Sequence, residues 1–201
     1  PDYKKIESAI KDKSSEYYYP TLTQKFNASD STMTLEQKRH IYYGFVFQDK
    51  YSPYQFSDHS KKLNEVINKE NLTNDDFKKI VELSDLVLAE NPFDLRALSY
   101  KSYSLNKLEK KIELEKNIIK VNIIMEALIS SGDGVSKETA FYVINTSNEY
   151  DLLNMLGFEF GGEQSLIEHY DYLKLAENEY KIAGFYFDVS PSLESLSKKM
   201  K

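Results

Sequence analysis

With 201 residues, 41% of them hydrophobic and 29% charged, the chain is long enough to bury a core and too apolar to stay disordered. Its net charge of −6 sets it against polyphosphate backbones, so no nucleic-acid partner is expected. No apolar stretch reaches the roughly 18 residues that a membrane-spanning helix needs.

The elements follow in chain order. Ile6 and Ile10 are spaced four apart and predict a first helix, which Tyr17-Tyr18-Tyr19-Pro20 should end, because the residue before proline resists the α region. Thr34 and Gln37 form a capping box, so a helix is expected from residue 35 to about 47. Leu63, Val66 and Ile67 mark a short amphipathic helix. Thr73 then caps another, whose inner face carries Phe77, Ile80, Ser84 and Val87 and which must stop at Asn91-Pro92. A further helix covers residues 94–106. From about residue 110, two adjacent apolar stripes (Leu114, Ile118, Val121, Met125, Leu128 and Ile112, Ile119, Ile123) predict a central helix buried on two sides.

Ser130-Ser131-Gly132-Asp133-Gly134 is the strongest break, and the pattern changes after it. Phe141 to Ile144 suit a short strand. Thr146 and Glu149 have the spacing of a second capping box, and Gly161-Gly162 should bend the chain. Residues 166–175 and 180–189 read as an antiparallel hairpin, and Ser190-Pro191 opens a last helix. The whole predicts an α+β fold in a single domain, residues 1–201. A helical part with aromatic-rich loops covers 1–130, and a small antiparallel β part with short helices covers 135–201.

Catalytic chemistry has few candidates. There is no cysteine, no Gly-x-Ser-x-Gly and no phosphate-binding loop, and His40, His59 and His169 lack metal-ligand spacing, so no cofactor and no metal are expected. In a strand running on from Leu166, His169 would share a face with Asp171, whose carboxylate could orient the imidazole; Asp188 would lie on the neighbouring strand. The 16 tyrosines are the unusual feature, and they crowd the N-terminal third together with phenylalanine. Consecutive aromatics on a helix point in several directions, so some are expected to be exposed. Arg39, Tyr42, Tyr43, Tyr51 and Tyr54 are the candidate binding residues. Against this stands a simpler use of the same rings, as glue between an irregular N-terminal lobe and the helical core.

Two resemblances bear on this. Helices punctuated by Asn91-Pro92-Phe93-Asp94 resemble a tetratricopeptide-type arrangement over roughly residues 74–130, although Ile80 and Val87 stand where small residues usually sit. The blocks Thr34-Leu35-Glu36-Gln37-Lys38-Arg39-His40-Ile41-Tyr42-Tyr43-Gly44, Tyr51-Ser52-Pro53-Tyr54, Ser131-Gly132-Asp133-Gly134 and Tyr170-Asp171-Tyr172 resemble an uncharacterised bacterial family, domain of unknown function 4919. That resemblance implies an exported protein of about this length and no activity to transfer.

The absence of cysteine suits export, and Pro1-Asp2-Tyr3 lacks an initiator Met. We therefore expect a periplasmic or envelope-attached protein whose signal segment, with or without a lipid anchor, lies upstream. The expected function is binding a protein or peptide partner without catalysis. Glycan or small-ligand stacking on tyrosine is the alternative, and a hydrolase-like enzyme the third reading.

Overall fold

The computed structural model describes residues 1–55 and 57–199; Phe56, one of the predicted aromatic cluster, lies outside them. Among the described residues the helices come first. They are α1 (Tyr3–Lys11), α2 (Tyr19–Asn27), α3 (Leu35–Tyr43) with a 3₁₀ turn over Gly44–Phe47, α4 (Asp58–Ile67), α5 (Asn74–Glu90), α6 (Leu95–Lys107) and α7 (Lys111–Ile129). The C-terminal part holds β1 (Phe141–Tyr142), α8 (Ser147–Met155), β2 (Phe160–Ile167), β3 (Tyr170–Leu175), β4 (Gly184–Asp188) and α9 (Ser190–Lys199). This is an α+β fold in which helices lead the chain.

The capping signals at Thr34 and Thr73 are built as read. Thr34 accepts the Gln37 N–H at 3.2 Å while the Gln37 side chain accepts the Thr34 N–H at the same distance, and Thr73 and Asp76 make the equivalent box for α5. Pro20 has the opposite role to the one expected. It sits in the first turn of α2, where proline's missing N–H costs nothing, and α1 has already ended at Lys11.

A large apolar cluster joins the helices to the sheet, with Tyr42, Phe93, Leu98, Ile124 and Leu128 from the helices and Phe141, Leu173 and Phe187 from the strands. A smaller one lies between α4, α5 and α6 around Leu63, Ile80 and Val87, with Leu88 touching both. The two-sided burial expected of α7 holds only for its C-terminal half. Ile123, Ile124, Ala127 and Leu128 are buried, but Ile118 and Ile112 are exposed, the latter by 68%. Across residues 111–116 of this 19-residue helix only Leu114 is even partly buried.

The sheet has the order β1-β4-β3-β2 and is mixed: β2, β3 and β4 are antiparallel neighbours, and β1 runs parallel to β4. Residues 166–175 do not form one strand. Glu168, at φ 62°, turns the chain between β2 and β3, with Ile167 opposite Tyr170. Gly161 and Gly162 lie inside β2, where an irregularity between Phe160 and Gln164 shifts the register. The Ser130–Gly134 break is locked to the sheet. Gly134 has φ 71° and its carbonyl accepts the Tyr186 N–H at 2.8 Å; a Cβ there would lie 2.6 Å from the Phe141 ring.

Candidate functional site

Side chains alternate across a sheet, so the register assigns each residue to a face. Phe141, Phe187, Asp171, Leu173 and Phe185 share the inner face and are buried. The outer face carries Tyr142, Asp188, Tyr170, Tyr186 and Tyr172, drawn from β1, β4 and β3, and continues into Ser165 and Ile167 of β2. All four tyrosines are partly exposed. The Tyr172 and Tyr186 rings lie 4.8 Å apart. A Cβ on Gly184 would come within 2.4 Å of the Tyr172 ring, so the glycine is what lets that ring lie down on the sheet. His169 covers Tyr170 at 4.1 Å, and the Lys137 ammonium stands 5.7 Å from the centre of the Tyr170 ring while pairing with Glu168 at 3.3 Å. The aromatic surface looked for in the N-terminal third is found here.

The predicted His169–Asp171 pair does not form. His169 sits in the β2–β3 turn, and its Nε2 lies 3.6 Å from Asp188 Oδ2. Asp171 points to the inner face. Asp188 also accepts the Ser190 N–H at 2.9 Å and the Ser190 hydroxyl at 2.5 Å, which caps the first turn of α9. The hydroxyl is thus held by the carboxylate and not by the imidazole. A nucleophilic serine needs the reverse order, with the base on the hydroxyl.

Asp171 belongs to an acid pair that the sequence reading missed. Gln164 donates to its Oδ2, Tyr150 donates to Gln164, and its Oδ1 has no hydrogen-bond partner. Next to it is Glu149 of α8, fully buried, with neither carboxyl oxygen in a hydrogen bond. Burial first, and the charge of Asp171 second, push the Glu149 carboxyl up to about 9. The expected capping role of Glu149 is not realised: Thr146 makes no side-chain cap, and Asn145 Oδ1 accepts the Ser147 N–H at 2.9 Å instead.

The predicted binding residues of the N-terminal third are mostly structural. Tyr42 and Tyr43 are fully buried; Tyr42 donates to Asn148 Oδ1 at 2.9 Å and Tyr43 to the Ala127 carbonyl at 3.0 Å. The chain tightens from α-helix to 3₁₀ turn just after them, which turns Phe45 inward as well, and Phe93 meets both Tyr42 and Phe45. Arg39 donates to the Ser130 carbonyl at 2.9 Å and so ties off the C-terminus of α7. Tyr51 is half-buried and donates to the Ile144 carbonyl at 2.7 Å, while Tyr54 is 40% exposed. Tyr51 borders a cleft of about 90 Å³ that also touches Lys50, Gln55, Asp94 and Asn145. That volume holds a few waters and falls short of a small-molecule site. Burial raises the Asp94 carboxyl at its base. A more open groove of about 660 Å³ runs past Tyr19, Phe26 and Phe93, but Phe26 and Phe93 are core residues with almost no surface to offer a ring.

Among the described residues no group of three His, Asp or Glu side chains is placed to hold a metal ion, and no helix is long and apolar enough to cross a membrane. No curated protein and no solved structure matches the chain. A family model does, over residues 4–198, and the chain therefore belongs to the family Domain of unknown function (DUF4919).

Proposed function

We propose that this chain is a non-enzymatic binding protein that holds a protein or peptide partner on the outer, tyrosine-bearing face of its sheet. The observation that carries this is the alignment of Tyr142, Tyr170, Tyr172 and Tyr186 on one partly exposed face. Tyrosine gives wide contact area with few rotors and a polar tip, the combination enriched where proteins meet. Partly exposed tyrosines spread over three strands suit a protein surface better than a sugar or small molecule, which is best held in a concavity. The lack of cysteine supports an exported setting, periplasmic or attached to the envelope, for this encounter.

The test is photo-crosslinking in native envelope extract, with a benzophenone amino acid placed at Tyr172 or Tyr186 and, as the control, at Tyr103, an exposed tyrosine on α6. A discrete adduct from the two sheet positions, lost when Tyr172→Ala and Tyr186→Ala are combined in a chain of unchanged circular dichroism, is the expected result. Equal labelling from Tyr103 would remove the reading.

A further inference from the structure

Tyr51 borders not only the small cleft described above but also a second cavity, of about 330 Å³, where α1, the 3₁₀ turn and α9 meet. That volume is within the range of small-molecule sites. Three of its walls are aromatic: Tyr3 from the first turn of α1, Phe47 from the end of the 3₁₀ turn, and Tyr51. Val46 and Pro191 complete the apolar lining. Glu194, an exposed residue of α9, is the one charged side chain of the lining among the described residues. The rings are held in place. Tyr3 meets the buried Tyr43 ring edge-on at 6.1 Å and the Phe47 ring at 6.3 Å, and the Tyr3 and Phe47 planes are 66° apart, so these two walls stand steeply to each other. The Tyr51 hydroxyl, donating to the Ile144 carbonyl, fixes the third wall. Burial above all, and in smaller part the Glu194 charge, raise the Tyr51 phenol, so this carboxylate is within electrostatic reach of the ring.

Three aromatic rings and a carboxylate around one cavity attract a cation. Elsewhere the molecule sets its own cations over aromatic rings: Arg39 over Tyr43, Lys107 over Tyr103, Lys120 over Phe26 and Lys137 over Tyr170. Among the side chains described, none stands in this way over Tyr3, Phe47 or Tyr51, and no Lys, Arg or His lines the cavity. The walls also select the kind of cation. Val46, Phe47 and Pro191 offer no hydrogen-bond acceptor, so a primary ammonium against them would leave N–H groups unpaired. A quaternary ammonium carries its charge under methyl groups and has no N–H to satisfy.

We propose that this cavity is an aromatic cage for the quaternary ammonium group of a small cationic molecule, with Tyr3, Phe47 and Tyr51 as its walls and Glu194 as the counter-charge at its rim. The site lies apart from the four tyrosines of the sheet face and stands whether or not a partner binds there.

The experiment titrates the whole isotope-labelled chain with choline chloride and follows both by NMR. A dissociation constant on the order of 1 mM or tighter is expected, with the choline methyl protons moved upfield by the rings and amide shifts concentrated around Phe47, Tyr51 and Pro191. Neohexanol, which has the shape of choline without its charge, should bind about tenfold more weakly. Glycine betaine, whose carboxylate would approach Glu194, should also bind more weakly than choline. Phe47→Leu keeps apolar volume and removes a ring, and Glu194→Gln alters only an exposed carboxylate. The first should weaken choline binding about tenfold and the second about threefold, in chains of unchanged circular dichroism. Neohexanol binding as tightly as choline would overturn the cage, as would the absence of any shift at these residues with about 50 mM choline. Choline binding that survives Phe47→Leu but is lost when Tyr172→Ala and Tyr186→Ala are combined would move the cation to the sheet face and sink the site. Co-sedimentation with phosphatidylcholine vesicles by a chain that ignores free choline would reject the small-molecule occupant in favour of a lipid surface.

Discussion

Glu149 of α8 and Asp171 of β3 face each other in the interior beneath the sheet, two carboxyls in one place that cannot both carry charge cheaply.

Stability should therefore respond to the Glu149 proton. Its carboxyl rises from the ordinary 4.5 to about 9 on folding. Below about 4.5 native and unfolded chains both hold this proton; between about 4.5 and about 9 only the native chain does, so the contribution is lost as the pH climbs through that window. Urea midpoints at pH 5, 7 and 9 should show Glu149→Gln gaining on the parent chain step by step. Parallel curves for the two would show that Glu149 does not titrate in this way.

Tyr42 tests the reassignment of the N-terminal aromatics to the core. Its hydroxyl donates to Asn148 and accepts the Ile144 N–H at 3.4 Å. Tyr42→Phe should cost about 1–3 kcal/mol, because two buried groups are left unpaired. Tyr54→Phe, at an exposed position, should stay within about 0.5 kcal/mol. Equal effects in chemical denaturation would contradict the burial difference.

Gly184→Ala should push the Tyr172 ring off the sheet, since a methyl there meets both that ring and the Leu173 carbonyl, 2.6 Å away. A loss of about 1–3 kcal/mol is expected, with changed ring shifts for Tyr172 and Tyr186 and unchanged ones for Tyr42. An unaltered Tyr172 spectrum would mean that the ring is not held there.

Arg39→Ala should fray the end of α7, seen as faster amide exchange around Ser130, and lower stability by about 1 kcal/mol. Partner capture should survive. Loss of capture in a chain of parental stability would return Arg39 to the binding residues.

What the sequence revealed depended on how local the governing interaction was. The caps at Thr34 and Thr73 and the stop at Asn91-Pro92 are short-range; α3 and α5 start, and α5 ends, where expected, while α3 gives way at Gly44 to a 3₁₀ turn over the last residues expected of it. Pro20 has two local uses, ending one helix or opening the next, and the sequence pattern does not choose between them. His169 was misassigned by one turn: a strand through Glu168 puts it beside Asp171, and a positive φ at Glu168 sends it to Asp188. The tyrosine face and the Glu149–Asp171 pair were out of reach for another reason. Both are assembled from segments far apart in the chain, and only pairing register brings them together. The i, i+2 spacing of Tyr170 and Tyr172, with Tyr186 in the facing strand, was the available signal, overshadowed by the denser aromatics around Tyr42.

The parallel pair of β1 and β4 sets an order on synthesis. Phe141 lies opposite Phe187, so the first strand to leave the ribosome must wait for β4, the last strand of the sheet, before it has a neighbour. A chain halted just before β4 already contains α1 to α8, while the Phe141 side chain and the Gly134 carbonyl, which meet Phe185 and Tyr186, stay uncovered. Formation of β4 is thus the event that closes the sheet, and a chain without it would leave Phe141 and Leu173 of the inner face without their cross-strand neighbours.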